Sequence, residues 1–314
     1  MPAGIGMLTN LQALSQFVVG ARRSSTSKQW FYGLVDLKHL NKLKGDLKIE
    51  IAVLKNAKFV KEEQGGGGYL RSKEHLETIA INFRLGREYG SKESEQALLE
   101  EMEPHHDIKT LELNGYHGET IPRWPGRGDN SALFDFPNLV TLKIKDCSEL
   151  LYLPWQIGKL PHLKTLQISN LPNMEDFMDE DSETLVLGEG SSFFPCLDYL
   201  QIFELPKLKG WWRRSELGSL VVHFNDSRSS SEGQVEWVSS PCFPLLEILR
   251  IHCCNKMVFV PLCRQLEHLT SLSAAVVISE IEVAESMPME YSQFLVSIFI
   301  RDEETMESEV GRSK

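Results

Sequence analysis

The chain has 314 residues, 42% of them apolar and 25% charged, and a formal net charge of -11. That is the composition of a soluble globular protein long enough to bury a sizeable core, and it excludes wholesale disorder. The acidic balance also argues against sequence-independent binding of nucleic acid, which needs a basic surface to displace counterions.

The N-terminal stretch MPAGIGMLTNLQALSQFVVGARR is apolar but has no basic leader and is interrupted by Asn10, Gln12 and Gln16. It reads as folded structure and not as a secretory signal. Within it Leu11-Gln-Ala-Leu14 starts a phrase that recurs down the chain, faintly at Lys44-Gly-Asp-Leu47-Lys-Ile49 and clearly at Leu76-Glu-Thr-Ile79-Ala-Ile81. Between the last two lies VLKNAKFVKEEQGGGGYL, helical at first and broken by the Gly65–Gly68 run. Ser94 to Met102 reads as a short helix with Ser94 as its N-cap and Ala97, Leu98 and Met102 on the buried side.

The phrase returns at Ile108-Lys-Thr-Leu111-Glu-Leu113, Leu139-Val-Thr-Leu142-Lys-Ile144 and Leu163-Lys-Thr-Leu166-Gln-Ile168. It returns again at Leu197-Asp-Tyr-Leu200-Gln-Ile202 and Leu246-Glu-Ile-Leu249-Arg-Ile251. Successive starts are 33, 32, 32, 31, 24, 34 and 49 residues apart, so insertions separate the units, at 55–70, 174–192 and 209–241. The second of these is acidic and the third holds the Ser-rich NDSRSSSEG. Beyond Leu272 the pattern fades, leaving 273–314 as a degenerate segment with an acidic tail.

The alternation in each phrase has period two, so Leu142 and Ile144 face one way while Thr141, Lys143 and Lys145 face the other. Three residues past each Ile stands Cys147, Leu171, Leu205 or Cys254, and three further on Leu150, Met174, Leu208 or Met257. A short strand followed by inward positions at fixed offsets is the leucine-rich repeat pattern. One unit cannot bury its own apolar edge, but a stack of them buries a continuous ladder while the strands pair in parallel. The expected fold is therefore α/β: a leucine-rich repeat solenoid over 1–272, a horseshoe with a parallel concave sheet and an irregular convex side. Pro137, Pro161, Pro195 and Pro244 stand where the chain approaches its strands, where a missing N–H does little harm.

No apolar run is long enough to span a bilayer; FLVSIFI at 294–300 stops at Arg301. Six cysteines without regular spacing point to reduced thiols and a cytoplasmic location.

Several phrases have a familiar cast. Pro2-Ala-Gly-Ile-Gly-Met-Leu-Thr-Asn-Leu-Gln-Ala-Leu with Phe17-Val-Val-Gly20, Leu34 to Leu47, Tyr69 to Leu76, and Leu153-Pro-Trp-Gln-Ile-Gly-Lys-Leu-Pro-His-Leu163 form a specific combination. Together they resemble the repeat region of plant coiled-coil, nucleotide-binding leucine-rich-repeat disease resistance proteins, over roughly residues 1–272. The resemblance implies a defence role, in effector sensing or autoinhibition. It implies a protein partner: a pathogen effector, a guarded host protein, or the nucleotide-binding module of a receptor. The phosphate-cradling loop of that module, G-x-x-x-x-G-K-[ST], has no match in these 314 residues, so nucleotide binding is not carried over.

No G-x-S-x-G elbow, H-E-x-x-H or Cys-x-x-Cys pair marks an enzyme, and no cofactor is expected. A hydrolytic or nucleotide-dependent α/β enzyme is the competing reading, and a receptor fragment without independent role a third. Cys242, His252, Cys253, Cys254, Cys263 and His268 lack the spacing of a zinc site. His105-His106 reads as surface without a partner. The free strand positions give three columns lining a concave face: Thr110, Thr141, Thr165, Tyr199, Ile248; then Glu112, Lys143, Gln167, Gln201, Arg250; then Asn114, Lys145, Ser169, Phe203, His252. Tyr199, Phe203 and Arg250 are residue types that binding hot spots favour, so partner contact is expected there, from Thr141 to His252; the alternative is that the 209–241 loop covers Phe203. A rim of Trp211, Trp212, Arg213 and Arg214, with Lys207 and Lys209, is expected beside the acidic stretch from Glu175, partly neutralised by it.

Overall fold

The computed structural model describes residues 4–22, 30–32, 34–52, 68–84, 92–122, 124, 136–178, 194–212, 243–257 and 270–275. One ten-stranded sheet organises them. Its strands are β1 (Gln16–Arg22), β2 (Trp30–Tyr32), β3 (Gly45–Ala52), β4 (Leu76–Arg84), β5 (Thr110–Asn114), β6 (Thr141–Lys145), β7 (Thr165–Ser169), β9 (Tyr199–Phe203), β11 (Ile248–His252) and β12 (Ser271–Ala275). They lie in the order β12-β11-β9-β7-β6-β5-β4-β3-β1-β2. All pair in parallel except β2, which runs antiparallel to β1 at one edge.

The register follows the recurring phrase. Leu111, Leu142, Leu166, Leu200 and Leu249 stand opposite one another, as do Leu113, Ile144, Ile168, Ile202 and Ile251. None of these ten side chains is more than 4% exposed. The offset positions behave alike: Cys147, Leu171, Leu205 and Cys254 are buried, and so are Leu150, Met174, Leu208 and Met257. Each fully buried Leu of this kind contributes about 1.5–3 kcal/mol relative to exposure.

The residue that follows a strand decides where the strand stops. Asp146, Asn170, Glu204 and Cys253 have φ of 54–58°, and Gly115 has φ 71°. The left-handed turn rotates the chain off the sheet and drops Tyr116, Cys147, Leu171, Leu205 and Cys254 into the core. At Gly115 a Cβ would run into the Phe83 carbonyl, so only glycine fits there. The first strands have no such break, and β3 and β4 run on through buried Ile51 and Phe83.

Each strand is approached through a turn. Leu139 donates its N–H to the Phe136 carbonyl, Leu197 to Phe194 and Leu246 to Phe243, with the proline second in each turn. Phe136, Phe194 and Phe243 are buried at the turn's first position. The same bond joins Leu76 to Lys73 and Ile108 to His105, so those two polar residues take the apolar slot.

Two details of the repeat differ from expectation at the N-terminal end. Lys44 is exposed, and Leu43, 1% exposed, supplies the inward residue. The extra residue is absorbed by a register shift between Gly45 and Asp46, with Gly45 at φ 72°. In the first unit Phe17 pairs opposite Ile49, which sets Leu14 off the inward face and leaves it half-buried. Lys44 and Leu14 fail for one reason: with period two, a shift of one residue exchanges the faces.

The other side is irregular. Helix α1 (Leu34–Lys38) buries Leu34 and Leu37; α2 (Lys92–Glu100) buries Leu98 and Leu99. Helix α2 starts two residues before Ser94, which is buried inside it and is not its N-cap. A 3-10 turn spans Trp155–Lys159. Strands β8 (Asp176–Met178) and β10 (Gly210–Trp212) pair in parallel, and Leu153 bridges to Met178, so three successive units share a second small ladder. β8 and β10 are the described parts of the second and third insertions. The helical start expected after residue 52, and the Ser-rich stretch, lie outside the described residues. Strand β12 carries the ladder to Ala275.

Candidate functional site

Among the described residues, the sheet's second face is a large surface that the repeat builds with a fixed pattern. Every free position is placed by the pairing of its inward neighbours, so three columns cross the sheet. Thr110, Thr141, Thr165, Tyr199 and Ile248 stand in register, and beside them Glu112, Lys143, Gln167, Gln201 and Arg250. The third column is Asn114, Lys145, Ser169, Phe203 and His252. The columns continue into the earlier strands as Asp46–Thr78, Lys48–Ala80 and Glu50–Asn82, an extension the shorter sequence columns did not include.

The two ends of this face differ in chemistry. Toward the N-terminus it is polar and internally paired. Lys143 Nζ lies 2.7 Å from Glu112 Oε1, Lys48 Nζ 2.7 Å from Glu50 Oε1, and Asn114 Nδ2 donates to Asn82 Oδ1 at 3.2 Å. Half-exposed pairs such as Lys143–Glu112 contribute at most about 1 kcal/mol each, but they fix side-chain positions.

Toward the C-terminus β9 and β11 present Tyr199, Phe203, Ile248, Arg250 and His252. The Arg250 guanidinium lies 5.7 Å from the Tyr199 ring centroid, while the Tyr199 hydroxyl donates to Gln201 Oε1 at 2.8 Å. The Phe203 and His252 rings are tilted with centroids 6.3 Å apart. Arg250 is exposed and the other four are half-buried. Large aromatic area with a cationic edge is thus carried on paired strands near one end of the sheet and not on a loop.

At the rim, Lys209 Nζ lies 2.7 Å from Glu175 Oε2, and Lys207 donates to Asn173 Oδ1 at 2.7 Å. The ion pair holds the Glu175 carboxyl below and the Lys209 ammonium above their ordinary pKa. The backbone of Trp211 and Trp212 lies in β10; Arg213 and Arg214 lie outside the described residues.

The histidines and cysteines divide. Cys254 is buried with its thiol donating to the His252 carbonyl, and Cys147 does the same to Lys145, so both serve the core. Cys253 is exposed; Cys242, Cys263 and His268 lie outside the described residues. His105 corrects the sequence reading: it is 7% exposed and not at the surface, because it fills the slot of Phe136 in the next repeat. One buried polar pair gave no sequence signal. Glu95 on α2, 2% exposed, accepts from the backbone N–H of His117 and lies 3.0 Å from His117 Nδ1. Among the described residues no helix is long and apolar enough to cross a membrane.

Comparison with known proteins agrees with this geometry. The family described as R13L1/DRL21 LRRs matches residues 34–171. Among curated proteins, the disease resistance protein RGA2 of Solanum bulbocastanum is 28% identical over 295 residues, 93% of this chain and 25% of the relative. The putative disease resistance protein RGA1 of the same species is 28% identical over 209 residues, 67% of this chain and 18% of the relative. The putative disease resistance protein At3g14460 of Arabidopsis thaliana is 29% identical over 212 residues, 64% of this chain and 13% of the relative. The chain thus spans a quarter or less of the length of these relatives.

Proposed function

We propose that this chain, whose repeats are similar to those of plant disease resistance proteins, is a protein-recognition module of plant defence and that it works without catalysis. Its partner is a pathogen effector, a guarded host protein, or the nucleotide-binding module of a receptor, met in the cytoplasm. The observation that supports this most is the in-register set of Tyr199, Phe203, Ile248, Arg250 and His252 on adjacent strands. A solvated sheet face has no folding reason to hold that much aromatic surface, and rigid aromatic and Arg groups are what interface hot spots use. Thr141, Lys143, Lys145, Thr165, Gln167 and Gln201 supply the polar flank that sets register, and Trp211, Trp212, Arg213 and Arg214 extend the surface at its rim.

Affinity capture from plant extract, comparing the native chain with a Phe203→Ala/Arg250→Ala variant, tests the reading. Proteins held by the native chain and released by the variant, at equal stability of the two, are the expected result. Identical captured sets would remove the face from consideration. Binding of ATP or ADP to the native chain would instead favour a nucleotide-dependent enzyme. A fluorescent fusion tests the cytoplasmic location.

A further inference from the structure

One turn of the solenoid breaks its own rule with chemistry that can hold a metal ion. Where other turns place Phe136-Pro137, Phe194-Pro195 and Phe243-Pro244, the turn leading into β5 places His105-His106-Asp107. An apolar first residue fills that slot in the other turns, so packing alone does not select imidazole there. The substitution also comes as a set. His105 Nδ1 lies 3.6 Å from Asp107 Oδ2, and His106 Nε2 lies 3.4 Å from Asp107 Oδ1. One ligand atom from each of the three residues lies within 4.8 Å of the others, and the two imidazole centroids are 4.1 Å apart. Around a tetrahedral zinc ion with bonds of about 2.0–2.1 Å, neighbouring donors sit roughly 3.3 Å apart. The two histidine–carboxylate distances are close to that spacing already.

We propose that His105, His106 and Asp107 form a binding site for a divalent transition metal of the zinc class. Two imidazole nitrogens and one carboxylate oxygen suit zinc, copper or nickel better than calcium or magnesium, which prefer oxygen alone. The Asp107 backbone N–H donates to His105 Nδ1 at 3.3 Å, so that nitrogen carries its lone pair, and an ion binds there by displacing this hydrogen bond. Asp107 is aimed from outside the set: Asn138 Nδ2, from the equivalent turn of the next repeat, donates to Asp107 Oδ1 at 2.9 Å. Such outer contacts orient ligands and raise affinity. His105 is buried, His106 half-buried and Asp107 exposed, so an ion reaches the site from solvent and keeps water at its remaining position. The site ties two neighbouring repeats through Asp107 and Asn138.

Calorimetric titration of the full chain with zinc chloride tests this, in a background where the accessible Cys196 and Cys253 are replaced by Ser. One zinc per chain is expected. His106→Ala should weaken it at least tenfold, and Asn138→Ala by about tenfold, in the range for loss of an outer contact. His105→Phe should abolish binding while keeping or raising the unfolding midpoint, since it restores the residue type of its column. Cobalt substituted for zinc should show a nitrogen–oxygen spectrum without thiolate charge transfer. No zinc binding in the micromolar range, unchanged affinity in both histidine variants, or a thiolate spectrum would each overturn the site.

Discussion

The ammonium of Lys73 donates to Asn41 Oδ1 at 3.3 Å, and it does so from a slot that Phe136, Phe194 and Phe243 fill in their own repeats. Lys73 is 0% exposed, and burial pushes its pKa down to about 8 from the ordinary 10.5. Between those values the unfolded chain holds a proton that the folded chain has released, so this residue makes stability rise with pH. Its penalty is full below pH 8 and vanishes above the unfolded value.

Replacing it isolates the effect. Lys73→Met should stabilise the protein at pH 7 by on the order of 2 kcal/mol, with the gain shrinking as pH rises from 8 toward 10.5. The difference between the two proteins is what matters, because Cys147 and Cys254 titrate in the opposite sense over part of that range. Denaturant unfolding at three pH values checks it, and a gain independent of pH would mean that packing alone is responsible.

Glu204 and Cys253 hold left-handed backbone at a register position where Gly115 stands two repeats before Asn170. Left-handed backbone costs an ordinary residue about 1–2 kcal/mol, partly offset by the entropy glycine loses on folding. Glu204→Gly should therefore raise stability by about 0.5–1 kcal/mol, measured as a higher unfolding midpoint. Gly115→Ala should lower it by more than that, because Phe83's carbonyl blocks the Cβ.

Burial pushes the Cys147 thiol up to about 12 and the Cys254 thiol up to about 11. Neither forms a thiolate near neutral pH, whereas Cys253 is exposed. Alkylation of the native protein at pH 8 should label Cys253 and spare Cys147 and Cys254 until denaturant is added, with mass spectrometry locating the labels.

The Glu95–His117 contact locks α2 to the chain beyond β5. His117→Phe leaves a carboxylate in the core without its imidazole, and removing one partner of a buried pair costs about 3–5 kcal/mol. The retained backbone N–H of residue 117 places the loss at the low end. Adding Glu95→Gln should recover part of it, and a double-mutant cycle with no coupling would remove the lock.

The ladder was legible because period two recurs from Ile108 to Ile251 and the offsets to Cys147 and Leu150 recur at Leu171 and Met174, at Leu205 and Leu208, and at Cys254 and Met257. Legibility failed where one residue is inserted, at Gly45, since letters alone do not show which residue a bulge absorbs. The columns of the open face followed from the ladder and needed no further information. Glu50, His105 and Glu95–His117 were not legible, because each is polar and its burial depends on what a neighbouring unit stacks against it. Ser94 misled for a local reason: it has the chemistry of a cap, but the helix had already started at Lys92.

The residues that leave each strand also give the stack a direction. Gly115 donates its N–H to Lys145, Asp146 to Ser169, Asn170 to Phe203 and Glu204 to His252, each bond reaching forward to the following unit. The turns before the strands reach the other way, with Lys109 donating to Glu77, Lys164 to Val140, Asp198 to Lys164 and Glu247 to Asp198, so a unit inside the stack is clasped forward where its strand ends and backward where it starts. Amide hydrogen exchange should be slower at residue 146, with units on both sides, than at residue 204.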